Sequence, residues 1–197
     1  MVCILLATLR MPITRRRILP FATAGLLAIM WWRPATAIAQ DESKPPPHVR
    51  PEKGLRELVD EAARRSPVVR ALIDQLEELD VTVYIRVRAF DQVDLDGQIA
   101  MLATPTSHRY LVIELACGRL ATTQMATLGH ELFHATEIAA EPWVVDAASL
   151  AALYTRIGIQ PGSRAGRRTF ETAAAAAAGE RARRELRINT SRSTNGT

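Results

Sequence analysis

The stretch that decides the fold is TLGHELFHATEIAAE, residues 127–141, which holds two of the chain's four histidines. His130 and His134 are four positions apart, and Glu131 directly follows the first of them. Four residues of an α-helix turn the chain by about 400° and advance it by about 6 Å, so the two imidazoles share one face. Glu131 lies about 100° around the helix from His130, at the edge of that face. The spacing therefore predicts a helix that presents two imidazoles and one carboxylate to the same place.

These three side chains suit zinc chemistry. Zinc binds imidazole nitrogens at about 2.0–2.1 Å, and two histidines one helical turn apart can converge on one ion. A neighbouring carboxylate can take a proton from a water molecule whose pKa the metal has lowered to about 7. The sequence predicts His130 and His134 as zinc ligands and Glu131 as the general base of a hydrolase.

The segments around this helix predict an α+β domain. Alternating or β-branched stretches predict three strands, with a hairpin signal at Asp96-Gly97, over residues 81–90, 98–104 and 109–116. Apolar residues spaced by three and four predict helices before and after the sheet, over 55–79, 122–141, 143–158 and 169–186. We expect a small, mainly antiparallel three-stranded sheet packed on the active-site helix.

A strand followed by a His-Glu-x-x-His helix resembles the zincin metallopeptidases, in which an active-site helix packs behind a sheet. The resemblance covers about residues 81–187, and its motif is short. Glu137 and Ala140 occupy the positions where metzincins have glycine and a third histidine, and the aspartate-ligated branch also needs glycine at 137. The gluzincin branch remains, which implies a third ligand from a glutamate on a later helix. The resemblance also implies that an extended substrate adds to strand 109–116.

The third ligand has three candidates, Glu171, Glu137 and Asp146. Glu171 and Asp146 each open a later helix, and Glu171 has the residue type that the gluzincin pattern implies. Stabilisation of a helix N-terminus, after a cap at Thr169, is the alternative interpretation of Glu171. Glu137 follows His134 on the same face, but three ligands in one row give poor tetrahedral geometry. It is favoured as a carboxylate that orients an imidazole. We predict Glu171 as the ligand and leave the other two open.

Five further side chains have weaker signals. Tyr154 is a candidate hydrogen-bond donor to an oxyanion, with a half-buried core tyrosine as the alternative. Trp143 is predicted to pack in the core beside a proline, and Cys117 to be a small buried hydrophobe near a turn. His48 and His108 are predicted to be exposed.

Residues 1–39 are organised like an export signal. Three consecutive arginines precede an apolar run from Ile18 to Trp32, and small residues end the segment at Ala39. The run of about 15 residues is too short to cross a bilayer of about 30 Å as a helix, although a retained anchor is the alternative. Paired arginines before a hydrophobic residue and a leucine also resemble a twin-arginine signal. We predict cleavage after Ala39 and a periplasmic or secreted protein without a stable membrane anchor.

The rest of the chain divides into three parts. Residues 40–54 are predicted to be a proline-rich linker or ordered arm, 55–187 the zincin-like domain and 188–197 a disordered tail. Residues 1–39 hold five of the 25 basic residues and none of the 21 acidic ones, so the remainder is close to neutral. This charge distribution argues against a nucleic-acid partner.

Two functions are compatible with these residues. The first is an exported zinc-dependent metallopeptidase that hydrolyses peptide bonds of a peptide or protein substrate through a zinc-activated water. The second is a non-catalytic exported binding or inhibitory module that retains the zincin-like helix. Substitution of Glu131 by glutamine separates them, because only the first loses an activity.

Overall fold

The computed structural model describes residues 46–105, 108–159, 163–164, 167–168 and 170–194. The predicted export signal and the first residues of the proline-rich segment lie outside these ranges, so cleavage and export stay predictions. Among the helices of the described ranges, none combines the length and the apolar character that crossing a bilayer requires.

Four strands form one mixed sheet. They are β1 (Val49–Pro51), β2 (Val81–Arg88), β3 (Gly97–Ala103) and β4 (Arg109–Ala116), in the order β1-β2-β4-β3. β1 pairs with β2 and β2 with β4 in parallel, whereas β3 is antiparallel to β4. The α+β class is as predicted, but the expectation of three mainly antiparallel strands is wrong. Asp96-Gly97 does not join neighbouring strands, because β4 lies between β2 and β3.

The fourth strand comes from the proline-rich segment. β1 has three residues and ends at Pro51, and an edge strand tolerates proline because one side of it needs no backbone donor. The His48 backbone N–H donates to both carboxylate oxygens of Glu77 at 3.0 Å, which ties the arm to the helix before β2. The ordered-arm alternative therefore describes this part of residues 40–54, and His48 is partly buried, not exposed.

Five α-helices complete the fold. They are α1 (Arg56–Arg65), α2 (Pro67–Glu77), α3 (Ala121–Ala139), α4 (Ala147–Ile157) and α5 (Ala173–Thr194), with a short 3-10 helix at Lys53–Leu55. Two two-residue strands, β5 (Ser163–Arg164) and β6 (Arg167–Arg168), pair between α4 and α5. α1 and α2 are separate because Ser66 caps α2 through the Val69 N–H and Pro67 begins it. α5 continues to residue 194, so most of the predicted disordered tail is helical.

α3 is the central helix. Alternate residues of β2 and β4 are fully buried in the core, namely Val81, Val83, Ile85, Leu111, Ile113 and Leu115. α3 contacts β3 and β4 on the sheet side, and it also contacts α2 and α5. A helix enclosed on several sides carries small and apolar residues around most of its circumference, which is why α3 has only a weak apolar stripe.

β4 is also joined to the end of α3 through a buried arginine. Arg109 donates from Nη1 to the carbonyls of Ile138 at 2.8 Å and Glu141 at 3.0 Å, and from Nη2 to that of Ala139 at 2.9 Å. The last carbonyls of a helix have no partner within the helix, and a cation beside them is favoured. This contact fixes how α3 lies on the sheet.

Three weaker predictions need correction. Trp143 is 43% exposed, because its indole N–H donates to Glu141 Oε2 at 2.6 Å and its ring lies 5.4 Å from the Arg156 guanidinium. Cys117 is exposed, since it lies in the turn after β4 where Gly118 has φ 73°. His108 is partly buried, with Nε2 2.8 Å from Thr82 Oγ1.

Candidate metal centre

α3 brings the two histidines together as its spacing requires. His130 Nε2 and His134 Nε2 are 3.1 Å apart, and both side chains are buried. The rings meet edge-on at an interplanar angle of 68°, with centroids 4.9 Å apart. The two nitrogens therefore point at one position beside the helix.

Glu171 adds an oxygen to this pair. Its Oε1 lies 3.3 Å from His130 Nε2 and 3.6 Å from His134 Nε2. In a tetrahedral site with bonds of about 2.0–2.1 Å, neighbouring ligand atoms are about 3.4 Å apart. The three observed separations fit this value. His130, His134 and Glu171 form a group that can hold a metal ion.

The other two candidate ligands lie elsewhere. Glu137 Oε2 accepts a hydrogen bond at 2.7 Å from His134 Nδ1, the ring nitrogen on the opposite side from the ligand atom. Because an ionised carboxylate only accepts, this bond places a proton on Nδ1, so the neutral ring that a metal requires has its lone pair on Nε2. Asp146 is exposed and caps α4, accepting from the Ser149 N–H at 2.8 Å. Of the described histidines and acidic residues, only the group with Glu171 has metal-ligand spacing.

Glu171 reaches the histidines from a segment just before α5, not from the helix itself. The Ile159 N–H donates to the Glu171 carbonyl at 2.7 Å, and this isolated bridge holds the segment against the end of α4. Thr172 is the residue that caps α5, since its Oγ1 accepts from the Ala175 N–H at 3.1 Å. The predicted cap, Thr169, lies outside the described residues. Glu171 therefore directly precedes the cap of α5 instead of lying in the first turn after it.

The alanine-rich sequence of α5 explains how closely it packs on α3. Its buried face consists of small residues followed by one leucine, namely Ala175, Ala178, Gly179, Ala182 and Leu186. A Cβ atom on Gly129 of α3 would lie 3.0 Å from Ala182 Cβ. Two helices with small residues at their crossing approach closely, and this approach carries the segment with Glu171 to the histidines. A run of alanines also has high helix propensity, which by itself indicates a helix and not this packing role.

Glu131 is the least satisfied group of the site. It is fully buried, and neither carboxylate oxygen has a hydrogen-bond partner among the described residues. Burial raises the pKa of Glu131 to about 8, against the opposing influence of His134. A buried polar atom without a partner is costly and is concentrated at functional sites. This orphaned carboxylate beside an imidazole–carboxylate donor set fits a metal with a water that Glu131 can contact.

The pKa values of the three candidate ligands are shifted in different directions. Burial lowers the pKa of His134, but hydrogen bonds to Glu137 and Glu171, with the charge of Glu131, outweigh it and raise the pKa to about 9. Burial raises the pKa of Glu171, but the two histidines outweigh it and lower the pKa to about 2. Burial lowers the pKa of His130. The Glu171 carboxylate is therefore ionised at neutral pH, as a metal ligand must be.

β3 begins beside Glu131, the predicted general base. The sequence did not indicate this proximity. A Cβ atom on Gly97 would lie 2.6 Å from Thr127 Cγ2 and 3.2 Å from Glu131 Oε1. β3 is an edge of the sheet, whereas β4 is paired on both sides. The expectation that strand 109–116 adds an extended substrate is therefore wrong, because its backbone groups already bond to two neighbours.

Tyr154 lies behind the imidazole of His134. Its hydroxyl is 3.2 Å from His134 Nδ1 and 3.2 Å from Glu137 Oε2, and the residue is fully buried. It is thus on the side of the ring away from the ligand atoms. The core-tyrosine interpretation is confirmed, with full rather than half burial, and Tyr154 is not placed to stabilise an oxyanion.

Comparisons with family models, curated proteins and solved structures find no match to this chain. The resemblance to zincins thus rests on the residues of the site and stays a prediction.

Proposed function

We propose that this protein is an exported zinc-dependent metallopeptidase of small gluzincin-like form. The observation that carries the proposal is the triangle of His130 Nε2, His134 Nε2 and Glu171 Oε1, with separations of 3.1, 3.3 and 3.6 Å, beside the partnerless Glu131 carboxylate. Two histidines and one carboxylate are a ligand set of catalytic zinc sites, which keep a further position for water or substrate.

Each residue of the site has a role in this reaction. His130, His134 and Glu171 would hold the ion, and Glu137 would keep the His134 ring oriented through Nδ1. Zinc bound there supplies a Lewis acid that lowers the pKa of a water molecule and polarises a carbonyl. The Glu131 carboxylate would accept a proton from a water molecule and deliver it to the nitrogen of the leaving amine. Burial without a hydrogen-bond partner makes this carboxylate a strong proton acceptor.

The position of β3 supports a peptide as the substrate. An edge strand presents unpaired backbone N–H and C=O groups, and an extended peptide can add to them as a further strand. β3 starts at Gly97, where a side chain would meet Glu131 Oε1 at 3.2 Å. A peptide on this edge would run past the general base.

A second function is favoured by one observation. Glu131 and His134 are both fully buried, and Glu171 is the most exposed member of the site, with 23% of its side chain accessible. A binding or inhibitory module that holds a structural zinc needs no access for a substrate. The same donor set also suits Fe(II) in oxygenases, although those sites have no use for a neighbouring general base.

Metal content and proteolysis of the purified chain test the proposal together. We expect about one zinc per chain by elemental analysis, and cleavage of a mixed peptide library detected by mass spectrometry. Glu131→Gln should retain the zinc and lose the cleavage. Zinc without cleavage in the parent chain would favour the non-catalytic module. A parent chain that binds no zinc after incubation with the metal would refute both the peptidase and a structural zinc.

A further inference from the structure

Glu137 connects three elements of the structure behind the metal centre. Its Oε2 accepts from His134 Nδ1 of α3 at 2.7 Å and lies 3.2 Å from the Tyr154 hydroxyl of α4. Its Oε1 accepts from the Thr172 hydroxyl at 2.7 Å, 35 positions along the chain and next to α5. The carboxylate that orients one ligand is therefore bonded to the segment that carries another.

Thr172 contacts this segment in two further ways. Its Oγ1 accepts from the Ala175 N–H at 3.1 Å and so caps α5. Its backbone N–H donates at 2.9 Å to Glu171 Oε1, the atom that completes the ligand triangle. Thr172 is buried, with 4% of its surface exposed. Its two polar groups thus reach Glu137 on one side and the Glu171 ligand atom on the other.

The need for such a contact follows from the topology. His130 and His134 are held one turn apart by α3, so their separation is set locally. Glu171 comes from a different part of the chain, and its distance from His134 depends on how the start of α5 lies on α3. Metal sites need ligand positions fixed within about 0.5 Å, which side chains behind the ligands provide.

We propose that Thr172 is a positioning residue of the metal centre. Through Glu137 it fixes the start of α5, and with it Glu171, relative to His134. The hydrogen bonds run from His134 Nδ1 through Glu137 and Thr172 to Glu171 Oε1 and so join two ligands. The inference rests on the proposed function, because it requires that the triangle of His130, His134 and Glu171 binds zinc. Thr172 lies outside the His-Glu-x-x-His motif.

The first test compares Thr172→Val with Thr172→Ser by zinc affinity, measured by competition with a chelator of known affinity. Valine keeps the shape of threonine but has no hydroxyl, whereas serine keeps the hydroxyl. We expect the valine variant to bind zinc about 10-fold to 100-fold more weakly, the range found when partners behind metal ligands are removed. The serine variant should stay within about twofold of the parent, because both of its hydrogen bonds remain possible.

A second variant separates positioning from helix capping. Thr172→Asp keeps an acceptor that caps α5 well, but an ionised carboxylate has no hydrogen to donate to Glu137. The new carboxylate would also repel the Glu137 carboxylate, whereas the cap is kept, so a loss of affinity in this variant reports the lost contact with Glu137 and not a lost cap. We expect a loss of about 10-fold, and this variant decides the question if the valine variant does not fold.

Thr136→Val is the matched control. Thr136 is also buried, but its hydroxyl donates at 2.7 Å to the Phe133 carbonyl within α3. We expect its zinc affinity to equal that of the parent chain. The unfolding midpoint of each chelator-treated variant, measured by circular dichroism, shows whether a loss of zinc follows from a loss of folding alone.

The outcomes distinguish this inference from the proposed function. No zinc in the parent chain would overturn the metal centre and the role of Thr172 with it. Zinc in the parent, with unchanged affinity in the folded valine and aspartate variants, would overturn the role of Thr172 and leave the metal centre intact.

Discussion

Gly179 of α5 lies directly against the imidazole of His130. A Cβ atom on Gly179 would be 3.0 Å from His130 Cβ and 3.2 Å from His130 Nδ1. Contacts this short force a neighbour to move, and the neighbour here is a metal ligand. The absence of a side chain at Gly179 therefore sets both the distance between α3 and α5 and the position of the His130 ring.

This contact predicts that Gly179→Ala affects zinc binding more than stability. Alanine raises intrinsic helix stability by about 0.5–1 kcal/mol, which offsets part of the crowding. The crowding itself displaces His130 or α5, and either displacement disturbs the ligand triangle. We expect a small change in the unfolding free energy and about tenfold weaker zinc binding by chelator competition.

The control for this prediction is Gly54→Ala. A Cβ atom on Gly54 meets no atom within 4 Å, so zinc affinity should not change. Zinc affinity that is equal in Gly179→Ala and the parent chain would show that the two helices separate without moving the ligands.

A second close approach predicts the effect of Gly97→Ala. The new methyl group would lie 2.6 Å from Thr127 Cγ2, so either β3 or the Thr127 side chain must move. Overpacking of this kind costs about 1–3 kcal/mol of unfolding free energy, measurable by urea denaturation. Thr127→Ser removes the methyl group that collides, and the double variant should recover part of the loss. If the loss of unfolding free energy in the double variant equals the sum of the losses in the two single variants, the contact is contradicted.

The sequence predicted the parts of the site that depend on local geometry. His130, Glu131 and His134 are within one turn of each other, so the 3.6-residue period alone places them on one side of α3. Asp146 was expected to open a helix, and it caps α4 for the same local reason. Glu137 was expected to orient an imidazole, and its bond to His134 spans three residues.

The parts that the sequence did not predict depend on contacts between distant residues. β1 has three residues in a proline-rich segment, and only its pairing with β2 makes it a strand. The parallel pairing of β2 with β4 places β3 at an edge, which no local pattern reveals. The bond from Thr172 to Glu137 needs the docking of α5 on α3. One available signal was the alanine run that ends at Gly179, since small residues at helical spacing indicate a close helix crossing.

The third ligand is tested by comparing Glu171→Ala with Asp146→Ala. Removal of Glu171 should reduce zinc binding below one ion per chain in elemental analysis, because two imidazoles alone hold the metal weakly. Removal of Asp146 should leave zinc content unchanged and lower the unfolding free energy, since it deletes a helix cap. Loss of zinc in the Asp146 variant, with retention in the Glu171 variant, would exchange the roles of the two residues.

The buried carboxylate of Glu131 predicts how stability depends on pH after chelator treatment. Its folded-state pKa, raised by burial to about 8, exceeds the unfolded value of about 4.3. Between these values the folded state holds a proton that the unfolded state has released, so this group's contribution to stability falls as pH rises. Glu131→Gln carries no such proton. The unfolding free energy of the variant relative to the parent should therefore increase from pH 5 to pH 8, by an amount on the order of a few kcal/mol.

Urea denaturation of both proteins across this range measures the difference. Despite desolvation by burial, hydrogen bonds to Glu137 and Glu171 raise the pKa of His134 in both proteins, so subtraction of the two curves leaves the contribution of Glu131 together with its charge interaction with His134. A difference that is constant with pH would mean that the Glu131 carboxylate ionises in the folded protein as it does in water. Such a carboxylate would have a hydrated or hydrogen-bonded environment, and it would then be a weaker base than the proposed reaction requires.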